Sequence, residues 1–167
     1  MKKKLISVAV AGLVMFTAVP AAPASDAKRS WSCLEYRRSE KRFLRKMNNA
    51  RTNRGVDGFR IDRQLSKVAR RHTGAMVADS KLFHTPSSTL ANRITSWTVI
   101  GENVGVGNTV DSLHKAFMKS PAHKANVLFG SFRHVGVGAR RDGDRLWVTV
   151  VFEAKTDPGT TLKPPVC

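Results

Sequence analysis

A chain of 167 residues, 41% hydrophobic and carrying 29 Lys and Arg against 12 Asp and Glu, has a net charge of +17. That length supports one hydrophobic core, and the positive balance directs the protein toward anionic surfaces, acidic lipids or wall polymers. Aromatic residues make up only 7%, too few for the stacking platform of a specific single-strand nucleic-acid binder.

The chain opens on Met1-Lys2-Lys3-Lys4, an apolar run from Leu5 to Val19, and Ala22-Pro23-Ala24. This is the layout of a secretory signal peptide over residues 1–24, with an apolar run short for a membrane span. The expected mature chain, 25–167, is one domain with its core at about 43–153 and an irregular proline-rich tail over 154–167. Three of the 29 basic residues lie in the leader, leaving 26 against 12 acidic ones, a net charge of +14. The expected location is extracellular, with cell-wall association, as a monomer without a transmembrane segment. Cys33 and Cys167 have one intramolecular pairing open to them in an oxidising compartment, a clasp between the termini; pairing between molecules is the alternative.

Helical periodicity over Arg29 to Gly55 places Tyr36, Phe43, Leu44, Met47 and Ala50 on one stripe. A short extended link through Phe59 and Ile61 leads to Asp62, which caps a second helix with stripe Leu65, Val68, Ala69, His72, Ala75 and Met76. Thr85-Pro86 reads as a cap and first helical position for a short helix carrying Leu90 and Ile94. Trp97 to Val106 reads as a glycine-broken strand, and Asn108 or Thr109 caps a helix ended by Pro121. Two final strands, His134 to Arg140 and Leu146 to Phe152, flank an Asp142-Gly143 turn. The last is apolar nearly throughout, so it should be covered on both faces. The tryptophans Trp31, Trp97 and Trp147 are expected in the core. The expected class is α+β, a three-layer α/β/α sandwich with a small antiparallel sheet between helices.

No H-E-x-x-H, C-x-x-C, G-x-S-x-G or P-loop pattern occurs. His84, Glu102 and His123 remain as candidates for chemistry. His123 is third in a helical turn begun by Ser120 and Pro121, and His84 immediately precedes Thr85-Pro86. The amide dipoles of such turns favour neutral imidazole. Glu102 sits among Gly, Val and Ile, where a carboxylate needs partners. Two neutral histidines with a carboxylate suit zinc or another divalent cation; the same three groups equally serve to tie loops to strands. His72, Asn103, Ser120 and His134 are candidates to line the same cleft, with His72 expected as a satisfied core histidine at its border and His114 as an exposed one.

With these residues in place the chain resembles the CAP superfamily (cysteine-rich secretory proteins, antigen five and pathogenesis-related one), in its bacterial secreted branch. The segments "MNNARTNRGV", "IDRQLSKVARRHTGAM", "LFHT", "IGENVGVG", "FMKSPAHKANVL" and "FRHVGVGARRDGDRLWVTVVF" follow the family's order from about Phe43 to Phe152. The resemblance implies an α-β-α sandwich and a cleft of two histidines and two glutamates. His84, Glu102 and His123 match three of these. Lys119-Ser120 stands where the second glutamate belongs, Phe117 where a tryptophan is usual, and Val150 where a glutamine is typical. The family implies an extracellular module binding sterols, lipids or proteins, with zinc or calcium in some members and proteolysis proposed for few. The expected function is a non-catalytic extracellular binding module for a lipid, a cell-wall polymer or a protein. The alternative is a metal-assisted hydrolase with Glu102 as general base.

Overall fold

The computed structural model describes residues 34–154. The leader, the tail, Trp31 and the expected Cys33–Cys167 clasp all lie outside the described residues. Among the described residues five helices and four strands follow one another: α1 (Arg38–Thr52), β1 (Arg60–Ile61), α2 (Arg63–Ala78), α3 (Ser87–Arg93), β2 (Val99–Gly107), α4 (Val110–Lys119), α5 (Pro121–Leu128), β3 (His134–Asp142) and β4 (Arg145–Ala154).

The sheet order is β1-β3-β4-β2. β4 is central, antiparallel to both β2 and β3. The expected sheet was purely antiparallel; the structure adds β1, which runs parallel to β3 through Arg60↔His134 and Ile61↔Val135. Two backbone bonds hold this short edge, Arg60 N–H to the Arg133 carbonyl (2.9 Å) and Asp62 N–H to the Val135 carbonyl (2.8 Å). A two-residue strand leaves no periodicity to read, which is why it was legible only as an extended link.

Both faces of the sheet are covered. Phe43 and Met47 of α1, Leu113 and Phe117 of α4 and Val127 of α5 pack with Val135 and Val137 of β3 and Val148, Val150 and Phe152 of β4. On the other face, Leu65, Val68 and Ala69 of α2 and Leu90 of α3 meet Val151, while Met76 meets Val104 and Trp147. The alternation of β4 between these clusters follows the two-residue period of a strand, and every residue from Leu146 to Ala154 is buried. This is the three-layer α/β/α arrangement expected.

Several local expectations shift. Helix α1 was expected from Arg29; residues 34–37 are not helical and α1 begins at Arg38. The Glu40 carboxylate accepts from Arg37 N–H at 2.9 Å and closes the first turn there. The far end of α1 matches expectation: Gly55, at φ +70°, donates to the Thr52 carbonyl, and Val56 N–H to that of Arg51. β2 begins at Val99, two residues after Trp97. That tryptophan, expected in the core, is 39% exposed, whereas Trp147 is buried. The β3–β4 turn is Gly143-Asp144, since Asp142 still pairs with Arg145.

Candidate functional site

The site is organised by β2, an edge strand with a helical layer on each face. Successive strand residues point to opposite faces, so the adjacent Glu102 and Asn103 serve different layers. Glu102 reaches the segment before α3, and Asn103 reaches α5.

The Glu102 side chain is only 4% exposed, and three donors meet its carboxylate. His84 Nδ1 lies 3.0 Å from Oε1, Thr85 N–H donates to Oε1 at 2.9 Å, and the Thr85 hydroxyl donates to Oε2 at 2.7 Å. Thr85 was expected to cap α3; its N–H and hydroxyl are spent on Glu102, and Pro86 takes the cap position. The His84 side chain is 58% exposed, which leaves Nε2 as the ring nitrogen available to a ligand.

Asn103 is fully buried. Its Nδ2 donates to the His123 carbonyl at 3.0 Å, while its Oδ1 accepts from Asn126 Nδ2 at 2.8 Å. The same Asn126 amide reaches the Glu102 carbonyl at 3.4 Å. The His123 ring stacks on Phe117, centroids 4.7 Å apart at 25°. Burial, and then the charge of His84, hold His123 below the ordinary imidazole range. Ser120 joins α4 to α5: its N–H donates to the Ala116 carbonyl, its carbonyl accepts from Lys124 N–H, and its hydroxyl makes no capping bond.

Two other expected lining residues have different surroundings. His72 is buried, with Nε2 2.7 Å from the Phe83 carbonyl and its ring edge-on to Phe83, so it supports the backbone leading into His84. His134 pairs in register with Arg60 and Glu153, two strands from β2. His114, expected to be exposed, is half-buried with its ring against Phe43, and burial lowers its pKa.

Thr85 and Asn126 are the supporting residues that sequence reasoning missed. Asn126 had a usable signal, since it follows His123 by three positions and so shares its helix face. Thr85 had none, because its cap pattern with Pro86 pointed elsewhere.

Residues 44–152 match the family model described as CAP: Cysteine-rich secretory protein family, well over half of the chain. The chain belongs to the CAP family. This CAP chain is 32% identical over 116 residues to the uncharacterized protein YkwD of Bacillus subtilis, an alignment covering 65% of the chain and 44% of YkwD. It therefore spans less than half the length of that curated relative. Its fold is similar to that of an outer surface protein from Borrelia burgdorferi, with TM-score 0.66 and 17% identity, covering 73% of this chain and 96% of that one. It is also similar to the structure of NaASP2 with Zn2+, with TM-score 0.56 and 11% identity, covering 74% and 87%. At those identities the two structures establish the fold alone.

The zinc in the NaASP2 structure raises the question of whether these residues suit a metal. Among the described residues no group of three or more His, Cys, Asp or Glu could hold one. His84 and His123 offer two imidazoles, and the Glu102 oxygens already accept from Thr85 and His84. Lys119-Ser120 supplies no carboxylate. The donor set falls short of the three protein ligands usual even in an open zinc site, so the expected His84/His123 metal centre does not fit a resident zinc ion.

Proposed function

We propose that this CAP domain is an extracellular binding module for a lipid, cell-wall polymer or protein, which it engages through the polar cleft beside β2. One observation carries the reading: Glu102 is a nearly buried carboxylate whose three donors make it an anchor for His84. A general base must reach the proton it abstracts, and an acceptor committed to Thr85 and His84 is poorly placed for that. The hydrolytic alternative, with Glu102 as base, has correspondingly little support. His84 and His123 instead present ring nitrogens for hydrogen bonding to a ligand. Extracellular placement is supported by the family's secretory members and by the leader pattern. Among the described residues no helix is long and apolar enough to cross a membrane.

The test is retention on isolated cell walls and acidic liposomes, by wild type and by the His84→Ala/His123→Ala variant, at low salt and at about 0.5 M salt, where long-range attraction is screened. Retention that survives salt in the wild type and is lost in the variant is the expected result. Equal retention by both proteins at high salt would remove the cleft from the binding surface. Release of labelled casein fragments by the wild type, abolished in the variant, would favour the hydrolytic alternative.

A further inference from the structure

A concave site lies toward the other end of the sheet. It is a hollow of about 590 Å³ lined by Arg37, Arg38, Arg42, Arg140 and Arg141, together with Thr109 and neighbouring residues of α1, α4, β3 and β4. Leu146, on its wall, is in register with Gly107 and Arg141, whereas Glu102 is opposite Val151. Five strand residues separate the two places along β4, about 17 Å.

The way these arginines are held matters more than their number. Arg37 Nη1 donates to the Ala139 carbonyl at 2.7 Å. Arg141 donates to the carbonyls of Asp144 and Asn108, each at 3.0 Å. Carbonyl acceptors fix a guanidinium without cancelling its charge. Among the described residues, Arg42 alone of the five has a carboxylate partner, Asp111, which it shares with Lys46. Glu40 is fully buried, its carboxylate accepting from Arg70, Arg37 N–H and Ala139 N–H. Arg38 and Arg140 make no side-chain hydrogen bond or ion pair among the described residues. The first turns of α1 and α4 begin at this wall, with Arg38 and Val110 as their first residues, and their amide ends add positive potential.

From this arrangement we infer that the hollow binds a phosphate-bearing ligand. Guanidinium forks match phosphate oxygens in pairs, and the volume falls within the range of ligand pockets, with room for more than one phosphate. A concave hollow favours a group that enters it over a flat charged surface. The site is separate from the cleft of the proposed function and does not depend on it.

The probe is pyrophosphate, titrated by calorimetry at low salt. Wild type should bind, and Arg38→Gln/Arg140→Gln should weaken binding by about tenfold or more with an unchanged Tm, since both side chains are exposed. Lys67→Gln/Arg71→Gln, an equal charge loss on the exposed side of α2, should bind like wild type, as should His84→Ala/His123→Ala. Absence of binding, or equal weakening in the α2 variant, overturns the inference. Phosphatidylglycerol vesicles then identify the source: displacement of pyrophosphate marks a lipid headgroup as a ligand of the hollow, and no displacement leaves soluble phosphates as its ligands.

Discussion

Arg51 shows how one side chain can organise a neighbourhood. It is fully buried, with its guanidinium 3.9 Å from the Phe59 ring centroid. It donates to the carbonyls of Asp57 (2.6 Å), Val127 (2.7 Å), Phe129 (3.0 Å) and Phe132 (2.9 Å). Desolvation lowers its pKa, with Arg133 acting in the same direction and Asp57 opposing. Three of these carbonyls bind the end of α1 to the last turn of α5 and to the loop that leads on to β3, and that of Asp57 fixes the link that follows α1. Replacing Arg51 by Met keeps much of the stem but strands buried acceptors. Arg51→Met should cost on the order of 3 kcal/mol, read as a lower midpoint in urea with the slope unchanged; a midpoint within error of wild type would contradict the clamp. In the sequence this residue is one of many arginines, and nothing local marks it as the buried one.

At the scale of elements, the contact of α2 with β3 explains the alternation Val135-Gly136-Val137-Gly138. The valines fill the core against α1 and α4, and the glycines let α2 lie directly on the strand. A Cβ on Gly136 would stand 2.1 Å from the Leu65 backbone carbon, and one on Gly138 2.5 Å from that of Ala69. Backbone cannot swing aside as a side chain can, so Gly136→Ala should destabilise by about 3 kcal/mol. Gly105→Ala, whose Cβ would meet the movable Phe117 ring at 2.8 Å, should cost less. Thermal denaturation of the two variants checks the order; the reverse order would mean that α2 shifts more easily than Phe117. The helices were legible here from their apolar stripes, and β4 from its apolar run. The alternating glycines of β3 stand plainly in the sequence, but nothing there names the helix that needs them.

For the whole molecule, acid is the informative perturbation. His123 and His114 both have lowered pKa values, through burial first; His84 adds to the effect at His123, while Lys46 adds and Asp111 opposes at His114. His114 Nε2 is buried without a hydrogen-bond partner among the described residues. Around each of these rings the folded state takes up a proton less readily than the unfolded chain. Stability is therefore fullest above the unfolded value of about 6.5 and falls as pH drops from there toward the folded values. Tm should decline between about pH 7 and pH 5, and the His114→Gln/His123→Gln variant should show a flatter decline. An identical slope in that variant would assign the acid sensitivity to other groups.

The sequence by itself determined the class of fold, most of its helices and its central strands, and singled out His84, Glu102 and His123 as candidates, because periodicity, capping and motif order are written locally. Tertiary structure decided what those residues do for one another. Glu102 became an anchor because Thr85 folds back onto it, Asn103 reached the opposite layer because strand side chains alternate, and His134 fell two strands away. Such relations depend on which elements lie side by side, and that is fixed by packing across the sheet, not by spacing along the chain.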